Sequence, residues 1–334
     1  MKALLLTRYG KTDQFAFADI PKPAIKSHEI LVQVHAVGLN PIDNKIPTGA
    51  FKPIIKLALP VVMGSDLAGV VVEVGSRVKR FKQGDAVFAS VFDLGTGSLA
   101  EFAAVPESAA AHKPTNLDFV QAASIPMVGL TSWQALNERA SLQHGQKVFI
   151  PAGSGGIGSF AIQLAKHLGA KVATTTSTNN VDMVKKLGAD EVIDYKKQKF
   201  EDVLRDYDVV LGTIEGVIEK SLKILRPNSH IVSLVGPLDA AFASAKGLNF
   251  LLKFVFRLMS LKIIRRAKKV GAKYSFLFVR ADGQQLDEIG KLLEAGHIVP
   301  VIDKVLPFGQ TKEALAYLEA GRAKGKVVVE IIPT

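Results

Sequence analysis

Residues 148–158 read Val148-Phe149-Ile150-Pro151-Ala152-Gly153-Ser154-Gly155-Gly156-Ile157-Gly158. Gly153, Gly155 and Gly158 have the spacing Gly-x-Gly-x-x-Gly, after an apolar strand and before the helical run Phe160-Ala161-Ile162-Gln163-Leu164-Ala165. Glycine in such a turn lets the main chain approach a diphosphate with no Cβ in the way. The N–H groups at the helix start then face the negative charge. The chemistry implied is dinucleotide binding. A carboxylate after the next strand would hold a ribose 2′-hydroxyl, as NAD sites do. Here Val172–Asn180 contains no acid, and Thr176, Ser177 and Asn179 offer hydrogen bonds instead. NADPH is the expected cofactor. No Lys or Arg stands in that turn, so Lys185 and Lys196 are the candidates to neutralise a 2′-phosphate.

Other chemistries are excluded by what is missing. With no Cys, the chain has no disulfide framework, no thiolate-ligated zinc, no iron–sulfur site and no thiol nucleophile. The His residues at 28, 35, 112, 144, 167, 230 and 297 are scattered, with no metal-ligand spacing. No metal site is expected.

The elements that must position the glycine turn follow from periodicity. Residues 1–110 are rich in strands and turns, with strands expected at Ala3–Thr7, Glu29–Ala36, Asp66–Val74 and Asp85–Ser90. Such irregular strands suggest a partly closed barrel. From Asp118, a helix cap, the pattern changes, with helices expected after Asp118 and over Val128–Asn137. Strands at 147–151, 171–175, 191–194, 208–211 and 230–235 then alternate with helices at 156–168, 181–187, 200–204 and 217–224. That alternation predicts a parallel sheet covered on both faces. The tail, with helices at 283–295 and 311–320 and strands at 305–308 and 326–331, either finishes this sheet or returns to the first domain.

The chain has 334 residues, 48% apolar and 22% charged, enough for two domains with real cores. Its net charge of +11 is concentrated. Residues 246–273 hold nine Lys and Arg and no acid. Leu248, Leu251, Leu252, Val255, Leu258 and Met259 recur there at helical spacing. One reading is an amphipathic helix making weak peripheral contact with an anionic membrane. The other is a helical insertion over a substrate cleft or dimer edge, with a solvated basic face. No nucleic-acid motif accompanies the charge, and no signal peptide or membrane span is evident. A soluble, cytoplasmic protein is expected, peripheral to a membrane at most.

Several further motifs accompany the glycine turn: Val37-Gly38-Leu39-Asn40-Pro41-Ile42-Asp43, Gly64-Ser65-Asp66-Leu67-Ala68-Gly69, Phe81-Lys82-Gln83-Gly84-Asp85, Gly129-Leu130-Thr131-Ser132-Trp133, Lys186-Leu187-Gly188-Ala189-Asp190 and Gly321-Arg322-Ala323-Lys324-Gly325-Lys326. With these in order, the whole chain resembles a medium-chain dehydrogenase/reductase of the zinc-free, quinone-oxidoreductase-like branch. The resemblance implies an α/β protein: a Rossmann doubly wound parallel sheet over residues 126–274, plus a GroES-like, partly open β-barrel over 1–125. Residues from about 275 to 334 would complete the barrel, the cofactor would lie in the cleft between the domains, and a homodimer is implied. Zinc alcohol dehydrogenases of this family have a Cys ligand near position 40 and Gly-His-Glu where this chain has Gly64-Ser65-Asp66. Neither ligand is present here.

By the same resemblance, Ser154, Gly155, Gly156 and Ile157 bind the diphosphate, while Thr176, Ser177 and Tyr195 lie at the adenosine 2′-phosphate end. Thr131, Phe276 and Phe278 are placed beside the nicotinamide, and Lys326 at the cleft. Asn40 is the candidate catalytic residue, orienting the substrate oxygen; it also reads as a turn residue before Pro41. Tyr195 also reads as an amphipathic strand end. Without a Lewis acid, a conjugated acceptor suits hydride transfer better than a plain ketone, because its charge spreads before protonation. A small apolar quinone or α,β-unsaturated carbonyl is the expected substrate, in a pocket drawn from residues 48–59 and 91–97. No general acid stands out. Two alternatives are a dedicated enone or alkenal reductase with quinones as incidental acceptors, and an NADPH-binding sensor with little turnover. Gly212 departs from the family pattern, which has an acid after that strand.

Overall fold

The computed structural model describes residues 1–10 and 14–333, and the chain divides into two compact units. One comprises Met1–Leu130 with Arg280–Thr334, the other Thr131–Val279.

In the first unit, β1 (Lys2–Leu6) and β2 (Phe15–Asp19) are followed by β3 (Glu29–Leu39), α1 (Pro41–Lys45) and β4 (Val61–Val62). Next come β5 (Asp66–Val74), β6 (Ala86–Ser90), β7 (Phe102–Pro106), β8 (Ala110–His112) and α2 (Phe119–Ala123). Asp118 caps α2 by accepting from the Gln121 N–H at 2.6 Å, as its position predicts. Helix α3 (Pro126–Trp133) continues into a π-helical stretch, Gln134–Arg139.

The second unit carries the alternation read from the sequence: β9 (Lys147–Ile150), α4 (Gly156–His167), β10 (Lys171–Thr176), α5 (Val181–Lys186), β11 (Glu191–Asp194), α6 (Phe200–Val203) and β12 (Tyr207–Gly212). It ends with α7 (Val217–Ser221), β13 (Leu225–Ser233), α8 (Ala240–Ala245), α9 (Phe250–Lys269) and β14 (Lys273–Phe276). The strand order is β11-β10-β9-β12-β13-β14, with every pairing parallel. This is the doubly wound order, and its reversal point lies between β9 and β12, where the glycine turn emerges. All residues of β12 are buried, as both faces of such a sheet require.

The tail, α10 (Gly283–Glu294), β15 (Ile302–Pro307), α11 (Thr311–Glu319) and β16 (Lys326–Glu330), returns to the first unit. There β3 is the hub. It pairs antiparallel with β5 along one edge, and with β7 and then β16 along the other. The sheet runs β15-β16-β3-β5-β6-β8, beside a smaller β2-β1-β4 sheet. This unit is the expected GroES-like domain, and the second unit is the expected Rossmann domain.

Sequence periodicity does not show β2, β7 or β8. Their sequences, Phe-Ala-Phe-Ala-Asp, Phe-Ala-Ala-Val-Pro and Ala-Ala-His, are short and alanine-rich, and alanine is depleted in strands. They are strands because their partners are. Val-rich β3, for instance, offers Glu29–Gln33 to Phe102–Pro106. Among the described residues, no helix is long and apolar enough to cross a membrane.

Candidate active site

The sequence-predicted residues fall into two groups, one in each unit. In the second unit, the three motif glycines have different reasons to be glycine. A Cβ on Gly153 would lie 2.2 Å from Thr174 Oγ1, and one on Gly158 2.2 Å from the Ala152 carbonyl oxygen. Those two allow the helix to sit close against the strands. A Cβ on Gly155 would meet only the Ala152 oxygen, at 3.4 Å. The protein therefore does not need glycine there for its own packing. The bare backbone in front of α4 is a cradle that a side chain would fill, and the residues present fit a diphosphate.

Hydroxyls tie this turn to the end of β10. Thr176 Oγ1 donates to Ser154 Oγ at 3.0 Å, and Asn180 Nδ2 donates to Ser154 Oγ and to Ser177 Oγ, each at 3.2 Å. Ser154, Thr176 and Ser177 are thus gathered with Gly155, Gly156 and Ile157 at one end of the sheet. Asn180 joins them through these two hydrogen bonds. Tyr195 stands at the same end, its N–H donating to the Thr176 carbonyl, and the residue is 61% exposed.

One acid does reach this end, from β11. Asp194 pairs in register with Thr176 and accepts from Thr178 Oγ1 at 2.6 Å and from the Lys196 N–H at 3.0 Å. The Thr178 hydroxyl, with the Lys196 N–H and the Lys197 ammonium, holds its carboxyl below the usual range. Lys196, Lys197 and Lys199 are exposed beside Tyr195. Thr131 is buried on α3. Phe276 is buried against Phe242, with ring centroids 5.5 Å apart, and Phe278 packs on the same ring at 5.2 Å.

In the first unit, Asn40 and Lys326 meet although 286 residues apart. β16 pairs with β3 so that Val327 faces Leu39, which sets Lys326 beside Asn40. Lys326 Nζ donates to Asn40 Oδ1 at 2.6 Å and lies 3.5 Å from Asp66 Oδ2. Asn40 Nδ2 has acceptors in the Gly38 carbonyl (3.2 Å), Ser65 Oγ (3.0 Å) and Asp66 Oδ2 (2.8 Å). Both ends of this carboxamide are engaged. Asn40 is the node of a buried network, and its main-chain N–H donates to Asp43 Oδ2 at 2.8 Å. Ser65 Oγ donates to Asp43 Oδ2 at 3.2 Å. Asp66 also receives the Met127 N–H at 3.0 Å, the first-turn amide of α3, where a carboxylate suits the helix dipole.

Two carboxyls and one ammonium are buried together, which governs their protonation. Burial pushes Asp43 up to about 7, assisted by nearby Asp66 and opposed by the N–H of Asn40. Burial also raises Asp66, against the pull of Lys326, and lowers Lys326, against the pull of Asp66 and Asp43. The cluster therefore retains a proton on Asp43 close to neutrality. The sequence singles out no general acid; Asp43 is a buried titratable group that local sequence does not reveal. It lies inside the quoted Asn40–Asp43 motif, but nothing local shows that it is buried.

Asp43 and Ser65 line a cavity of about 100 Å³. Ile46, Ile55, Leu57, Val61, Val62, Met63, Val91 and Phe92 supply its apolar wall. Both expected pocket segments contribute. Gly64, with φ +97°, turns the chain into this wall where a Cβ would strike Ser98 Oγ at 2.4 Å. Among the described residues, no group of three or more His, Asp or Glu could hold a metal ion.

Family models for the alcohol dehydrogenase GroES-like domain match residues 26–115, for the zinc-binding dehydrogenase 187–329, and for the C-terminal domain of alanine dehydrogenase/PNT 141–231. A 2-methylene-furan-3-one reductase of Solanum lycopersicum is 37% identical over 344 residues, covering 100% of this chain and 80% of the relative. An NADPH-dependent alkenal/one oxidoreductase of Arabidopsis thaliana (chloroplastic) is 37% identical with the same coverage. The chain belongs to the medium-chain dehydrogenase/reductase family. Within that family it is an oxidoreductase of the quinone and enone reductase type. The solved quinone oxidoreductase of Coxiella burnetii superposes with a TM-score of 0.86 at 30% identity, covering 99% of each chain. A nicotinamide cofactor suits both this family and the cradle at Gly155.

Proposed function

We propose that this medium-chain reductase uses NADPH to reduce a small apolar quinone or α,β-unsaturated carbonyl, acting as a cytoplasmic homodimer. The reading is supported by the presence in one chain of a diphosphate cradle in the second unit and an apolar cavity in the first. That cavity ends in a proton-bearing carboxyl. Ser154, Gly155, Gly156 and Ile157 would hold the diphosphate. Thr176, Ser177 and Tyr195, with the exposed Lys196 and Lys197, would hold the 2′-phosphate end. Thr131, Phe276 and Phe278 would bound the nicotinamide. The bound cofactor supplies a hydride.

The chain's own residues do the rest. An acceptor oxygen at the polar end of the cavity takes a hydrogen bond from protonated Asp43, while the Ser65 hydroxyl, donating to Asp43 Oδ2, keeps that carboxyl oriented. This stabilises negative charge as the conjugated π electrons shift onto that oxygen. The Asp43 carboxyl then holds the proton that completes the two-electron reduction. Lys326 and Asn40 keep Asp66 satisfied and the network in register. The apolar wall excludes water.

A side-by-side panel tests this reading. Quinones and enones are offered with NADPH or NADH at equal concentration, and turnover is followed across pH. The expected result is turnover with a preference for NADPH, falling as pH rises past about 7, where Asp43 loses its proton. A strong NADH preference would contradict the assignment of the Thr176–Asn180 turn. Tight NADPH binding with no turnover of any acceptor would favour a sensor.

A further inference from the structure

Helix α9 has two faces with opposite character. Phe256, Ser260, Ile263 and Ala267 recur at helical spacing and are buried. Ile263 and Ala267 pack into the core built around Phe149, Val210 and Ile231. The opposite face is exposed and changes along its length from mainly apolar, with Arg257 exposed at its margin, to mainly cationic, with Ile264 exposed among the bases. Its first half presents Phe250, Leu251, Phe254, Val255 and Leu258, with Phe250 82% and Leu251 68% exposed. Its second half presents Lys262, Arg265, Arg266, Lys268 and Lys269, all exposed. A 20-residue helix is about 30 Å long, so the apolar and cationic halves each run about 15 Å.

We infer that this face of α9 is a docking surface for an anionic lipid bilayer, with the helix lying in the plane of the interface. The apolar half would enter the headgroup–acyl boundary, and the cationic half would rest on acidic headgroups. Charge decides the occupant. No acid lies anywhere in residues 246–273, so a second copy seated face to face would set like charges against one another. A nucleic acid would match the bases but would leave five large apolar side chains in water. An acidic membrane matches both halves. Such a location would also place the enzyme where apolar acceptors concentrate, a benefit that depends on the proposed substrate class; the docking itself does not.

The test is sedimentation of the full chain with phosphatidylcholine vesicles, with and without phosphatidylglycerol, at low and high salt. Expected is binding to the phosphatidylglycerol vesicles alone, weakened at high salt. A Leu251→Asp/Leu258→Asp variant and a Lys262→Glu/Arg265→Glu/Lys269→Glu variant should each bind at least tenfold more weakly. Both keep the wild-type melting temperature and NADPH turnover, because these side chains point away from the core. No binding to acidic vesicles at low salt would overturn the inference. So would binding that both variants retain, or a Leu251→Asp/Leu258→Asp variant that changes only the oligomeric state in ultracentrifugation.

Discussion

A Gly155→Val variant should fold normally and lose its cofactor. Gly155 has φ −83° and ψ 174°, an extended conformation open to a β-branched residue. Its Cβ would meet nothing closer than the Ala152 oxygen at 3.4 Å. The expected stability cost is about 1 kcal/mol, that of a poorer helix cap. The valine methyls would occupy the space in which a diphosphate approaches the first turn of α4. NADPH affinity should fall by at least about 100-fold, the scale of losing close main-chain contacts to a dianion. Gly153→Ala should do the reverse. Its Cβ would overlap Thr174 Oγ1, which donates to the Ile150 carbonyl at 2.6 Å, so about 1–3 kcal/mol of stability should go. Urea unfolding and fluorescence titration of NADPH on both variants separate the two effects. Equal loss of affinity in each, with equal loss of stability, would show that Gly155 is only a packing residue.

A Lys326→Met variant should be among the most damaging single changes outside the apolar core. Methionine keeps the volume of the stem but removes the ammonium from a side chain only 5% exposed. Asp66, fully buried, would then have only hydrogen bonds to oppose its charge. Breaking a buried pair from one side costs about 3–5 kcal/mol. The cost should depend on pH. Burial already raises Asp66, and losing Lys326 raises it further, so the folded variant binds more protons than the unfolded chain. Stability is retained at low pH, below the unfolded carboxyl range, and is lost as pH rises through the folded one. The deficit against wild type should be smallest near pH 4 and largest near pH 8. Adding Asp66→Asn, which keeps an acceptor for the Met127 N–H, should recover most of the loss. A deficit independent of pH, or one that Asp66→Asn does not relieve, would show that Lys326 matters for packing alone.

These two sites differ in how far the sequence reveals them. The glycine turn is legible because its requirements are local: a strand end, a bare turn and a helix start within eleven residues. Even the absence of an acid after β10 is legible, whereas Asp194 enters from the neighbouring strand and shows only in the register of β10 with β11. The Asn40 cluster is less visible. Asn40, Asp43, Ser65 and Asp66 lie in quoted motifs, but their burial and their link to Lys326 come from the antiparallel pairing of β16 with β3. No spacing rule spans 286 residues. The raised pKa of Asp43 is further removed, because it follows from burial together with two other titratable groups, Asp66 and Lys326. Strands β7 and β8 are hidden for a related reason: alanine-rich, they take their conformation from β3 and β6.

On the proposed mechanism a hydride passes directly to a conjugated carbon of the acceptor while protonated Asp43 holds the oxygen end. Reduction of a simple enone with NADPH deuterated at nicotinamide C4 tests it most directly. The product is read by NMR after the pro-R and pro-S forms have each been used. The expected product is a saturated ketone with deuterium on the β-carbon from one of the two forms, and an α-hydrogen that exchanges with solvent. Deuterium on the carbonyl carbon of an allylic alcohol, or no deuterium in the product from either form, would contradict it.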